Sequence, residues 1–209
     1  MVSYPLDFPS TLGIQNFSMK LRTAVARTES PFSYAEQVVK HSGEMWQIDA
    51  QLPYMGREKA EYYNAFLMKL RGRWGTFLIG DPAGYNPRGS WENTGSVLVK
   101  GAGQTGDQLV IDGFVAGRSG VVKAGDYFQL GTGTSSRLYK ALDDADSNVS
   151  GEVTLTIAPT LRASPADNAA LIFVNARGLF RLSENLQGWD IDPEGAGTYS
   201  IRFSAMEAL

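Results

Sequence analysis

The sequence has no cysteine and a single histidine. The first absence excludes a disulfide framework, a thiolate metal site and a cysteine nucleophile. The second excludes a metal centre built from several histidines. Positive charge is not in excess either: 19 Lys and Arg stand against 22 Asp and Glu, a net charge of −3 with a pI near 5.2. A chain whose main task is to neutralise phosphates would be basic. Long apolar runs are missing as well. The longest, about Ala169–Val174, falls far short of the ~18 residues that suggest a membrane-spanning helix. The opening stretch MVSYPLDFPS has no basic n-region and no long apolar h-region, so no signal peptide is expected. For chemistry, these exclusions leave carboxylates or nothing.

What is present reads as sheet. The 209 residues are 43% hydrophobic and 20% charged, an ordinary globular balance for one or two domains. The 23 glycines exceed the usual ~7%, which suits turn-rich β structure. Alternation recurs along the chain. Met19, Leu21, Thr23 and Val25 alternate with Lys20, Arg22 and Ala24. Trp46, Ile48, Ala50 and Leu52 alternate with Gln47, Asp49 and Gln51. Tyr199, Ile201, Phe203 and Ala205 alternate with Ser200, Arg202 and Ser204. Each pattern predicts a strand with one buried and one wet face, because successive side chains point to opposite sides of a sheet. Phe32-Ser33-Tyr34 is expected to open another strand through Val38-Val39, with His41-Ser42-Gly43 as a hairpin turn into the Trp46 strand. Arg57–Arg71 breaks the rhythm. Ala60, Tyr63, Leu67 and Leu70 recur at helical spacing, Glu58 and Glu61 sit early, Lys69 and Arg71 late, and Gly72 follows. This predicts one amphipathic helix whose end charges suit its dipole.

After a short strand at Thr76–Ile79, the proline- and glycine-rich stretch Pro82–Gly95 reads as a linker or domain crossing. Short strands are expected at Ser96–Lys100, Gln108–Ile111, Tyr127–Leu130, Arg137–Leu142, Glu152–Ile157 and Leu171–Val174. Their spacing suggests a small barrel or sandwich.

Several motifs have chemical counterparts. Gly101-Ala102-Gly103-Gln104-Thr105-Gly106 spells the dinucleotide fingerprint, but the following Asp107–Gly113 reads as strand and turn where the fingerprint needs a helix. A hairpin loop fits better. Asp144-Ala145-Asp146-Ser147-Asn148 resembles half of a calcium loop, yet Val149 stands where glycine is needed and Leu155 where glutamate is. Asp190 and Asp192, beside Trp189, form a carboxylate pair of the type glycosidases use. The adjoining Pro193-Glu194-Gly195 suggests a solvated turn instead. His41 lies beside Ser42 with no acidic orienter, so it reads as a turn residue. Most aromatics fall on apolar faces; Tyr54 and Tyr62 do not, and tyrosine suits half-wet contacts.

Taken in order, certain segments resemble a known family. They are Tyr4-Pro5-Leu6, the helix Glu58–Leu67, Thr76–Pro82 ending Gly80-Asp81-Pro82, Lys123–Leu130, Arg137–Lys140, Leu155–Arg162 and Gly178–Leu182. They resemble tail-tip structural proteins of long-tailed bacteriophages, and among these the distal tail protein, a ring-forming adaptor between tail tube and baseplate. The resemblance implies a mainly β fold with one α-helix. A β-sandwich belt domain would comprise 1–83 and 176–209, with its helix at about 57–71. Residues 84–175 would form a small inserted β-barrel or sandwich domain, and the strand Gly197–Met206 would return to the belt. It also implies a homo-oligomeric ring of six copies, with the tail tube protein on one side and tail-tip hub or fibre proteins on the other. The site would be the distal end of the virion tail, after synthesis in the host cytoplasm. No catalytic residue, cofactor or metal is implied, and neither nucleic-acid specificity nor membrane insertion. A ring needs two different surfaces that meet; Lys20 and Arg22 on the first strand, with Tyr54 and Tyr62, are the expected subunit-interface residues. Two other readings stay open: a carbohydrate- or receptor-binding module of a tail, with 84–175 gripping sugars, and a glycan-active enzyme using carboxylates such as Asp190.

Overall fold

Alternating side chains can satisfy both water and core only if the strands find partners, and here they form two sheets. The computed structural model describes residues 2–9, 13–192 and 197–209. In chain order the elements are β1 (Leu6–Asp7), β2 (Asn16–Glu29), β3 (Glu36–Gln51), α1 (Arg57–Leu70), β4 (Phe77–Ile79), β5 (Asn93–Val99), β6 (Gln108–Phe114), β7 (Tyr127–Leu130), β8 (Arg137–Ala141), β9 (Val153–Ala158), β10 (Leu171–Ile172), β11 (Gly178–Leu182), β12 (Trp189–Asp192) and β13 (Thr198–Glu207). The chain is therefore mainly β with one α-helix, as its periodicity requires. That helix is too short and polar to cross a membrane, and no described helix could.

The first sheet has the order β1-β4-β11-β13-β3-β2, with β12 added along β13. Its central pairs are antiparallel, Ile48 opposite Ala205 and Ala50 opposite Phe203. These residues and Trp46, Leu52 and Ile201 are buried on one face, under α1. The helix turns Ala60, Tyr63, Phe66, Leu67 and Leu70 inward and ends where Arg71 enters the left-handed region, its N–H bonded to the Met68 carbonyl. Phe8, Phe66, Phe77 and Phe203 meet there with ring centroids 5.5–6.2 Å apart, three of these contacts being edge-to-face. Edge-to-face packing suits the ring quadrupoles and adds about 0.5–1.5 kcal/mol per pair beyond burial.

The second sheet runs β10-β7-β8-β9-β6-β5. Its two ends almost meet: Leu98 bridges to Ala170, and the Val99 N–H donates to the Ala169 carbonyl at 2.9 Å. The result is a nearly closed barrel filled by Val97, Leu109, Ile111, Phe128, Tyr139 and Leu155. Trp91 stacks on Phe173 at 4.5 Å. Near one mouth, the buried Asp126 carboxylate accepts from the N–H groups of Arg88 (2.6 Å), Gly89 (2.9 Å) and Lys123 (3.0 Å) and from Trp91 Nε1 (3.0 Å). Four donors on one carboxylate tie the incoming segment 88–91 to the turn before β7.

Two expectations for this hairpin are corrected, since Phe32-Ser33-Tyr34 lies in a turn and opens no strand, and the expected turn is strand. His41-Ser42-Gly43 is not a turn; it lies inside β3, which runs unbroken for 16 residues. The turn is at 30–35, closed by Ser30 N–H to the Ala35 carbonyl and Tyr34 N–H to the Ser30 carbonyl, with Tyr34 at φ +56°. Between the pairs Thr23–Glu44 and Val25–Lys40, β3 carries three residues against one, so His41-Ser42-Gly43 is a bulge. Its turn-like composition has the same physical origin, since a bulge needs small residues; a Cβ on Gly43 would stand 3.2 Å from that of Ala24.

Candidate functional site

The burial of β2 and β3 changes abruptly along their length. From Glu44 to Gln51, β3 alternates between buried and half-buried; from Glu36 to Gly43 every residue is exposed. On β2, Phe17, Met19 and Leu21 pack on the core, whereas Thr23–Glu29 are exposed on both faces. The distal half of this hairpin is thus an arm of two strands with no cover on either side. The buried face expected for Met19–Val25 stops at Leu21; Val25 is in the arm and exposed. Apolar side chains continue along it: Val25, Val38 and Val39, then Phe32 (95% exposed) and Tyr34 (77%) at the tip. Arg27 reaches Glu36 at 2.6 Å and also Glu29, pinning the two strands together.

At the arm's root the first sheet is bolted to the barrel. Glu44, the first buried residue of β3, accepts from the Thr160 N–H at 2.8 Å. Trp46 Nε1 donates to the Leu138 carbonyl on β8 at 2.9 Å. The buried Glu207 carboxylate accepts from Trp46 N–H (3.0 Å) and from the half-buried Arg162 (2.5 Å). Leu138 and Tyr127 belong to the barrel strands, yet both pack in the core of the first sheet.

The four expected interface residues fall in two places. Lys20 and Arg22 lie on the wet face of β2 below the arm, both exposed. Lys20 meets Asp49 at 2.9 Å. A hydrogen bond from Ser204, and after it the one from Lys20, hold the Asp49 carboxyl below its usual range. Tyr54 and Tyr62 are exposed on the loop before α1 and on the helix's outer side. The sequence patterns thus mark outward residues correctly, but the structure does not gather all four into one patch. The arm itself was missed. Only its unbroken run of mixed polar and apolar residues hinted at it, and alternation does not say whether a face is covered.

Among the described residues no further strand pairs with the outer edge of β2, and β1 forms the sheet's other end. β12 lies off this path, paired with residues 198–201 of β13. All four β12 residues are exposed. Asp190 and Asp192 share one face of this edge strand, and Trp189 and Ile191 take the other. Trp189 therefore cannot stack over a sugar held between the two carboxylates. The adjoining turn expected at Pro193-Glu194-Gly195 lies outside the described residues.

The remaining motifs resolve into loop chemistry. The run Gly101–Gly106 joins β5 to the antiparallel β6, with Gly101, Gly103 and Gly106 at positive φ, and the Gln104 amide plugs the loop by bonding Val110. No helix N-terminus is there for a phosphate. In the acidic turn, Asp144 accepts from Lys123 and the Ala124 N–H, which together hold its carboxyl low, and Asp146 accepts from the Gly120 N–H. Among the described residues no cluster of His, Asp and Glu could hold a metal. In the barrel, Trp91, Phe114, Tyr127, Phe128 and Tyr139 are buried and Phe173 is half-buried against Trp91, which leaves Tyr85 as the exposed ring. Burial holds the Tyr127 phenol well above its ordinary range, so it stays a neutral packing group.

Comparison with known families gives one match: residues 83–176, a little under half of the chain, match the family model described as "Distal tail protein pb9, B domain". That match supports a bacteriophage distal tail protein, and with it a structural role in a phage tail. No curated protein matches the chain.

Proposed function

We propose that copies of this chain close head to tail into a ring of six at the distal end of a phage tail. The ring joins the tail tube to the baseplate hub or fibres, and the chain carries out no catalysis. In this reading 1–83 and 176–209 form the belt, and 84–175 an inserted outer domain that serves as a platform. The observation that carries it is the arm. A lone two-stranded ribbon is marginal in water, and one bearing Val25, Phe32, Tyr34, Val38 and Val39 in the open gains its stability from a partner. A ring supplies one to every copy, because each arm can lie on the next subunit while each subunit receives an arm from behind. Lys20, Arg22, Tyr54 and Tyr62 are then surfaces buried by neighbours.

The test is to replace 25–40 with a two-residue Asn-Gly turn and compare native mass. The shortened chain keeps its circular dichroism and its melting temperature, since the arm adds nothing to the buried core. It no longer forms the oligomer that the full chain forms at high micromolar concentration. If the shortened chain assembles as well as the full one, the arm is not what closes the ring.

A further inference from the structure

β11 and β12 both run antiparallel to β13. The β3 side of β13 is taken as far as Tyr199, where Leu52 N–H donates to the Ile201 carbonyl and Met55 bonds Tyr199. β11 and β12 therefore share the other side, as two halves of one interrupted strand. Leu182 stands opposite Ala205 and Trp189 opposite Ile201, so residues 183–188 face only 202–204. The excess loops out, and a cavity of about 360 Å³ opens in the break. We propose that this cavity is a binding site for one uncharged sugar residue. The proposal goes beyond the ring reading and does not rest on it.

The break first leaves backbone groups over. Successive residues of an antiparallel strand bond to alternate sides. Ile201 bonds toward β3 and the Ser204 carbonyl toward Ser183, so the N–H and carbonyl of Arg202 point toward 183–188. Neither bonds another backbone group among the described residues. The side chains add to this. Asn16, Gln51 and Arg202 form one row across the sheet and Ser18, Asp49 and Ser204 the next, on the face away from α1. All six line the cavity. Asp49 accepts from Ser204 on Oδ1 (2.6 Å) and from Lys20 on Oδ2 (2.9 Å), and each oxygen keeps a further lone pair. Hydroxyls and primary amides both donate and accept, as does every hydroxyl of a sugar ring. Phe203 and Leu186 (85% exposed) supply apolar wall for the ring's C–H groups.

Charge selects the class of ligand. Lys20 already neutralises Asp49, and the other charged groups of the wall, Glu184 and Arg202, are of opposite sign. A free anion or cation meets no matching excess, whereas an uncharged, hydroxyl-rich ligand matches the wall group for group. The volume is at the lower end of the ~300–1,000 Å³ of small-molecule pockets, room for a single ring. The cavity also lies at the end of the sheet away from the arm. Its rows are those of Asn16 and Ser18, and the arm begins beyond Arg22.

The test titrates the full chain, by ligand-observed NMR, with glucose, galactose, mannose and N-acetylglucosamine, each also as its methyl glycoside. At least one binds in the millimolar range. Arg202→Ala and Asp49→Asn each lower that affinity about tenfold, the size expected when a hydrogen bond to a charged group is lost. Arg202 is exposed, so Arg202→Ala melts as the parent does. Asp190→Asn, on the same face but outside the cavity, binds as the parent does. A methyl glycoside that binds as well as its free sugar marks the end of a glycan chain as the source; one that does not bind marks a free sugar. Absence of binding by all four sugars overturns the proposal. So does binding that ignores both Arg202→Ala and Asp49→Asn, or displacement of the sugar by glycine or acetate. Native mass on the same samples reports the ring separately: a monomer that binds sugar overturns the ring and leaves this site standing.

Discussion

Four N–H groups converge on Asp126, whose carboxylate is the acceptor for each of them. Asp126→Ala is expected to cost about 3 kcal/mol or more in urea unfolding, since several buried donors lose their bond at once. Its partners Arg88, Gly89 and Trp91 lie 35 or more residues away. In the sequence Asp126 is merely an aspartate after a glycine in a turn, which is why it was not singled out. Asn64 is the reverse case. It lies buried on the inner face of α1 with both amide atoms lacking a hydrogen-bond partner. Asn64→Ala should raise stability by about 1 kcal/mol, through the better helix former and the removal of an unpaired polar group. A lower melting temperature would contradict that account. At Asp49 the argument concerns pH. Its folded-state carboxyl sits below the ordinary value because Ser204 and Lys20 stabilise the charged form. The contribution is therefore complete above the unfolded value near 3.8 and is lost as pH falls through the lower folded value. Asp49→Asn should flatten the stability profile below about pH 4, by under about 1 kcal/mol because the pair is solvent-screened.

Elements were legible wherever the period and the burial agree. The helix ends within a residue of its expected bound, because its charges, its apolar stripe and Gly72 all say the same thing. Trp46–Leu52 and Tyr199–Ala205 bury the alternate residues their pattern names. The arm is where period and burial part. Its residues form strand because each finds a backbone partner across the hairpin, and no core is involved. A turn-like triplet then proved to be a bulge, since composition marks a need for small residues but not the path the chain takes. Limited digestion checks the element directly. In the free chain trypsin should cut first after Arg22, Arg27 and Lys40, which are exposed on strands that no core covers at these positions. The core of both sheets should outlast these cuts. In the assembled state the same sites should be protected.

At the scale of the molecule, the spacing of short strands indicated a small barrel or sandwich, and the sheet there is a nearly closed barrel. The spacing could not show that Leu138 and Tyr127 would face away from it into the other core, nor that Trp46 would bond a carbonyl 92 residues on. Contacts at such separations leave no local pattern to read. They tie the two sheets together through shared core residues. Heat unfolding should show one transition, with the calorimetric enthalpy equal to the van't Hoff value. Leu138→Ala, which opens a cavity under Trp46, should lower that single transition by about 2–5 kcal/mol of stability. It should not release the barrel to melt by itself.

The bond from Thr160 to Glu44 has a mechanical meaning. Glu44 is where the arm ceases to be free and becomes part of a packed layer, and the segment that grips it comes directly off β9. With Glu207 and Arg162 beside it, this root is tied to the barrel by side-chain bonds. A torque applied to the barrel is delivered to the root of the arm. A load felt by one copy on its outside would thus become a displacement at whatever its arm holds.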